Sequence, residues 1–330
     1  MSASPTPAPA PARAVLPGEV PVVDLRDLSA GDDALRARFT AELGAALKEY
    51  GFVRVKGHGI GPAVVDPAYA AGKAFFDLPE AKKAEYIVKG GAGQRGYTPF
   101  GAEHAKDSPK PDLKEFWHVG RELPLGHTYK ALYQDNLWPA EVDGFRSAML
   151  QLYGGLEAVS KLLLECIAEY LGLSPYHLRE MTDYGNTILR VLHYPPLNQI
   201  DAQPGAVRAG AHEDINFITL LVTSTAAGLE ILRRDGQWMA VNAEPGEIVA
   251  DVGDMLSRVT NGVLPATTHR VVNPDDDASA RFSMPFFVHP RPDAVLRVIP
   301  SCTGPGLPTP PEDITGEDFL LQRLKEIGLM

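Results

Sequence analysis

Seven short strand-like runs crowd the second half of this chain, and they restrict its fold more than any other feature. They cover about residues 187–194, 217–223, 229–232, 237–242, 248–252, 267–272 and 281–288. Each alternates or clusters β-branched and aromatic residues, and Gly, Pro, Asn or Asp punctuates the gaps. Asp235-Gly236 is a strong hairpin turn between two of them. Many short strands joined by turns argue for an antiparallel barrel or double-sheet sandwich, not a parallel sheet.

The first half reads differently. Pro21-Val-Val-Asp24-Leu25 and Gly51-Phe-Val-Arg-Val-Lys-Gly57 read as strands. Between them, Leu35, Phe39, Leu43 and Leu47 recur at helical spacing over 33–50, and Gly51 ends the helix. A helix over about 64–77 carries Phe75 and Phe76, and Leu78-Pro79-Glu80 starts another. The Gly-, Pro- and Lys-rich stretch 88–112 reads as loop. The longest helix, about 142–171, lines up Phe145, Met149, Leu152, Leu156, Val159, Leu163 and Ile167 before Gly172 closes it. A weak helix over 312–328 ends the chain. The Pro/Ala/Ser-biased stretch 1–17 is expected to be a disordered tail. No linker separates helices from strands, so residues 18–330 are expected to form one domain. Within it, 18–125 is an N-terminal α/β region and 186–295 the β core.

Composition narrows the function. The 330 residues carry 31 Lys+Arg against 42 Asp+Glu, a net charge of −11. That balance disfavours nucleic acid as a partner, which needs a basic face. It leaves room for one cationic pocket aimed at a small molecule. Cys166 and Cys302 make no disulfide framework or Cys-rich metal site, and they fit a reducing cytosol. No apolar run reaches membrane-spanning length, and the start lacks the pattern of a secretory signal. A cytoplasmic protein with no membrane anchor is expected.

The chemistry concentrates in three places. His212-Glu-Asp214 sets an imidazole and a carboxylate two residues apart, which on a strand share a face. His269 follows on another expected strand. Two His and one carboxylate are the facial triad of non-haem Fe(II) oxygenases, and they leave coordination positions open. A structural zinc site would instead be closed by a fourth protein ligand. Arg281-Phe-Ser283 puts a guanidinium fork and a hydroxyl on one strand face, a pair suited to a carboxylate such as the distal one of 2-oxoglutarate. His58 and His193 read as structural, Cys166 as inert core, and Lys82-Lys83 and Asp275-Asp-Asp277 as solvated charges.

On these residues the chain resembles the isopenicillin N synthase-like branch of the 2-oxoglutarate/Fe(II)-dependent dioxygenases. The likeness runs from about residue 20 through Gly51-Phe-Val-Arg-Val-Lys-Gly-His-Gly-Ile60, Phe75-Phe-Asp-Leu-Pro79, Gly96-Tyr97 and Leu189-Arg-Val-Leu-His-Tyr-Pro-Pro196 to the His212, His269 and Arg281 motifs. The resemblance implies a double-stranded β-helix, a cupin-like jelly roll flanked by helices. It implies Fe(II) on His212, Asp214 and His269, with 2-oxoglutarate on Arg281, Ser283 and Tyr194. Arg95, Tyr97, Trp117, Phe287 and His289 fall where the family lines its substrate pocket. The family often has Asn where this chain has Leu192 and Gly57, and His289 replaces an acidic residue. The implied activity is O2-dependent oxidation of a small molecule, by default hydroxylation, with succinate and CO2 as co-products. Desaturation and ring formation share its first step. An oxidase that needs no 2-oxoglutarate, a non-catalytic 2-oxoglutarate sensor and a β-barrel with a structural ion stay open. A monomer is the default expectation.

Overall fold

The computed structural model describes residues 18–91, 93–104, 110–201, 205–274, 276 and 278–326. The tail 1–17, Asp275 and Asp277 lie outside the described residues. The order begins β1 (Val22–Asp24), α1 (Arg26–Ser29), α2 (Asp33–Tyr50), β2 (Phe52–Lys56), α3 (Pro62–Phe76), α4 (Glu80–Ala84), β3 (Gly96–Thr98) and β4 (Glu115–Gly120). It continues with α5 (Phe145–Tyr170), α6 (Tyr176–Thr182), β5 (Ile188–Tyr194), β6 (Ala209–His212), β7 (Ile218–Val222), β8 (Leu229–Leu232), β9 (Trp238–Ala240) and β10 (Ile248–Val252). Helix α7 (Asp254–Val259), β11 (His269–Val271), β12 (Arg281–Val288) and α8 (Gly316–Glu326) complete it.

The strands form two sheets, one of eight strands in the order β1-β2-β10-β7-β12-β5-β4-β3 and one of four in the order β6-β11-β8-β9. Apart from the parallel β1–β2 pair, the ladders are antiparallel. Each strand expected in the β core is present within a residue or three of its expected ends. The short β3, β4 and β6 and the helix α7 had no clear signal in the sequence.

The large sheet is buried on both faces, and strand parity sorts its side chains. One face packs beneath α2, α3 and α5. It carries Val53, Val55, Trp117, Leu189, Val191, Leu220, Ile248, Met284 and Phe286 into the main core with Phe39, Phe75 and Leu152. The long α5 runs through that core because its apolar positions recur at helical spacing over 26 residues. The Asp32 carboxylate caps α2 by accepting from the Ala34 and Leu35 N–H groups, and left-handed Gly51 ends it. The opposite face of the sheet looks toward the small sheet and carries Phe116, Arg190, Leu192, Tyr194, Thr219, Arg281 and Ser283.

Lys83 departs from the sequence reading. It is buried, with its ammonium 2.7 Å from Glu115 and 3.0 Å from Glu80. Glu115 also accepts from the Tyr97 hydroxyl and pairs with His193 at 2.8 Å. A buried charge persists only with such partners. His193 is thereby structural, stacked on Phe282, and His58 likewise bridges Gly246 O and Ile60 N–H.

Candidate metal centre and its two cavities

Strand register brings the two histidines together. His212 on β6 lies directly opposite His269 on β11, and their rings are 4.4 Å apart. Asp214 arrives by a different route from the one expected. It lies beyond the end of β6, so alternation along one strand does not place it. The following turn does. The Asp254 N–H donates to Asp214 O at 2.7 Å and the Gly253 N–H donates to Phe217 O at 2.9 Å. Gly253 is required here, since a Cβ on it would sit 2.2 Å from Asn216 O.

Hydrogen bonds then aim the ligand atoms. His212 Nδ1 bonds Gly210 O at 2.7 Å and His269 Nδ1 bonds Thr267 O at 3.1 Å. Both Nδ1 atoms face carbonyls, so they donate, and both Nε2 lone pairs point inward. Each Nε2 is 3.8 Å from Asp214 Oδ1. The Thr219 hydroxyl donates to the other oxygen, Asp214 Oδ2. Burial and the His212 ring lower His269 to about 4, so it is neutral at pH 7 and ready to ligate. The three ligand atoms lie within 4.8 Å of one another, which fits one divalent ion. Two imidazoles and one carboxylate on one side of that ion suit Fe(II) and leave open positions. Beside them, burial and the Asp214 charge push Asp251 well above the ordinary carboxylate range.

Two cavities meet at this triad. The smaller, about 70 Å3, runs between the sheets past Leu192, Tyr194, Arg281 and Ser283. Arg281 faces Tyr194 across the β12–β5 ladder and is almost fully buried. Its Nε donates to Ala226 O at 3.1 Å and its Nη2 to Ser224 Oγ at 3.0 Å, but Nη1 has no partner. An unpaired buried N–H beside a buried serine is a ready carboxylate site.

The larger cavity, about 400 Å3, opens on the other side of the triad. Arg190 forms one wall, held between Phe116 and Phe287 with its Cζ 4.2 and 5.2 Å from the ring centres. Its Nε donates to His118 Nε2 at 2.6 Å, and Nη1 reaches Glu103 at 3.1 Å. His118 Nδ1 in turn donates to Gly93 O, and burial with the Arg190 charge keeps the ring neutral. Lys114 lies 2.8 Å from both Glu103 and Asp112. Burial would raise Glu103, but Arg190 and Lys114 outweigh it and hold the carboxylate far below its usual range. Asp112 also accepts the Gly210 N–H at 2.9 Å, which ties this wall to the metal strand. Helix α8 closes the far side with Leu320, Arg323 and Leu324. Arg323 pairs with Asp254 at 3.2 Å and Glu326 at 2.6 Å.

Of the expected pocket residues, Phe287 and His289 line the larger cavity, and burial lowers His289 to about 4. Tyr97 and Trp117 do not. They pair across β3 and β4 on the helix-facing side, where Trp117 packs on Phe75 and Phe145. Their neighbours Phe116 and His118 face the chemistry, so the reading was off by one residue of parity. Arg95 lies behind the wall. It donates to Gln94 O and Asn186 Oδ1, and its guanidinium occupies the space where Gly120 has no side chain. Sequence reading also missed Arg190, Glu103, Lys114, Thr219 and Asp251. The alternation of Arg190 with Leu192 and Tyr194 was the one usable signal.

Comparisons with known proteins agree. Residues 20–141 match the model of the non-haem dioxygenase N-terminal region, and 185–290 match that of the 2OG-Fe(II) oxygenase superfamily. A 2-oxoglutarate-dependent dioxygenase of Aspergillus niger is 31% identical over 86% of this chain and 88% of its own length. A crystal structure of a Caulobacter crescentus protein described as 2OG-Fe(II) oxygenase family is 45% identical, with a TM-score of 0.83, covering 93% of this chain and 98% of that one. A full-length Neurospora crassa protein crystallised in complex with alpha-KG and thymine is 28% identical, with a TM-score of 0.82, covering 94% and 98%. With a jelly-roll core, a His-Asp-His centre and these relatives, the chain belongs to the isopenicillin N synthase-like 2-oxoglutarate/Fe(II)-dependent oxygenases, enzymes that use Fe(II), 2-oxoglutarate and O2.

Proposed function

We propose that this enzyme hydroxylates a small, polar, uncharged molecule in the larger cavity. Its Fe(II) is held by His212, Asp214 and His269, and its 2-oxoglutarate by Arg281, Ser283 and Tyr194. In the balanced reaction one oxygen atom of O2 enters the substrate C–H bond. The other enters succinate as 2-oxoglutarate loses CO2. The bound iron supplies the O2 activation. The chain's residues do the rest. The Thr219 hydroxyl and two backbone carbonyls fix the ligand atoms. The buried Arg281–Ser283 pair fixes the cosubstrate's distal carboxylate. Phe287 offers an apolar face, while Arg190 and His289 offer polar edges, and α8 limits access of water.

One observation carries the substrate class. Each Lys and Arg among the described residues of the larger cavity is already ion-paired, Lys114 and Arg190 with Glu103, and Arg323 with Asp254. Such a wall gives an anionic substrate no free counter-charge. A flat heterocycle is a natural first trial, since the structurally similar Neurospora crassa protein was crystallised with thymine and with 5-formyluracil. The two buried free cysteines agree with a reducing, cytoplasmic setting.

The test is anaerobic loading with Fe(II) and 2-oxoglutarate, then O2 and a panel of neutral and anionic candidates. Succinate formed in step with a hydroxylated neutral product is the expected result. Equal or better turnover of carboxylates would overturn the substrate class. Succinate that persists in His212→Ala would overturn the metal assignment.

A further inference from the structure

Arg208, just before β6, is completely buried. Its Nη2 donates to Ser279 O, while Nε and Nη1 have no hydrogen-bond partner. Among the described residues no carboxylate lies within ion-pair distance of it, and the same holds for Arg281. The two guanidiniums flank one ring, with the Arg281 Cζ 5.1 Å and the Arg208 Cζ 6.0 Å from the centre of Tyr194. Burial and the Arg281 charge both lower Arg208, so the two cations repel each other across that ring.

Two buried cations that share one ring with no described carboxylate beside them are unfavourable. Elsewhere Lys83 is matched by Glu115 and Lys114 by Glu103, whereas buried Arg95 is held by Gln94 O and Asn186 Oδ1 alone. What sets the Tyr194 end apart is that two such guanidiniums share one ring. The mismatch is relieved when an anion enters the small cavity that Tyr194, Arg281 and Ser283 line. Arg208 is not itself on that cavity wall, so its effect travels through Tyr194 and through the local field.

We propose that Arg208 is a positioning residue for 2-oxoglutarate, a second buried charge that acts through Tyr194 to hold the cosubstrate's distal carboxylate. The inference rests on the placement of that carboxylate at Arg281 and Ser283. It makes the cosubstrate end selective for 2-oxo acids with an ionised tail, and it divides the anchoring between two arginines.

The experiment measures binding by calorimetry to the Mn(II)-loaded, full-length protein, with no turnover. Two ligands are compared: 2-oxoglutarate and 2-oxopentanoate, which has the same 2-oxo acid head but no distal carboxylate. Arg208→Met is expected to weaken 2-oxoglutarate by about tenfold and leave 2-oxopentanoate unchanged. Arg208→Lys is expected to restore most of the difference, because the charge returns. Loss of both ligands alike, or of neither, overturns the role and leaves Arg208 structural. Arg208→Gln serves as the second charge-free variant should the Met form not fold. Arg281→Met separates the two readings. If it leaves 2-oxoglutarate binding intact, the carboxylate site itself is misplaced. If it abolishes binding while Arg208→Met does nothing, only the present inference fails.

Discussion

Two parts of the cavity walls at the metal centre treat positive charge in opposite ways. Toward Tyr194, Arg281 and Arg208 are sunk between the sheets with donors unsatisfied and no described carboxylate beside them. On the wall that both cavities share, Arg190 and Lys114 are matched by Glu103 and Asp112, and toward α8 Arg323 is matched by Asp254. Neither burial nor a missing counter-charge alone defines a site, since buried Arg95 has no described carboxylate and lies on neither cavity wall; Arg281 joins both features to a place on a cavity wall. On the proposed reading the Arg281 guanidinium is compensated by the distal carboxylate of 2-oxoglutarate. A guanidinium paired within the protein, as Arg190 is, forms a rigid hydrogen-bonding edge. The acidic net charge of the chain is compatible with both, because each field is local.

The most severe way to break this contrast is to remove what the halves share. His212→Ala should abolish stoichiometric Fe(II) binding and succinate formation, read by metal analysis and product assay. Next comes Glu103→Gln, which leaves Arg190 without its carboxylate while Lys114 keeps Asp112, and so makes the substrate side resemble the cosubstrate side. It should cost about 3–5 kcal/mol in denaturant unfolding at pH 7, the usual loss on breaking a buried pair. Surviving enzyme should accept anionic substrates better than wild type. The same residue gives a pH signature. Its folded-state acidity is held well below the unfolded value of about 4.3. Its stabilisation is thus complete at neutral pH and lost as pH falls below that value. Acid titration of unfolding should be steeper in wild type than in Glu103→Gln.

Smaller changes sharpen the contrast. Thr219→Val removes the hydroxyl on Asp214 Oδ2 and should weaken metal binding about 10–100-fold, as loss of such supporting bonds does. Its effect should reach both ligands through the metal, although its side chain also borders the smaller cavity. Ser283→Ala should be mildest. It removes one neutral donor of about 0.5–1.5 kcal/mol, raising the KM for 2-oxoglutarate a few-fold with no change in substrate KM.

Much of this was legible from residues alone. The strand pattern after 186 announced the β core, and the His212, His269 and Arg281 motifs announced the centre, because metal and carboxylate sites need particular residue types at particular spacings. The cavity walls were harder. On β4 the choice between Trp117 and His118 turns on which face of a doubly buried strand meets the helices. A strand apolar on one side and charged on the other does not declare that by composition. Trp117→Ala should accordingly destabilise the fold by about 3–5 kcal/mol, a core-cavity effect, measured by chemical unfolding with substrate KM preserved. Compensation was invisible too. Glu103, Lys114 and Arg190 are far apart in sequence, and pairing is a property of three-dimensional neighbours. Lys83 was misread for the same reason.

Helix α8 closes the substrate cavity yet gives nothing to the triad or to the Arg281 site. One wall of that cavity is thus encoded apart from the triad and the Arg281 site, while β5 and β12 serve both cavities. Substitutions in the few amphipathic turns around Leu320 and Leu324 reshape that wall and leave His212, Asp214, His269 and Arg281 in place. For an engineer those turns are the natural place to randomise first, because a library there samples new substrates without gambling the oxidative machinery.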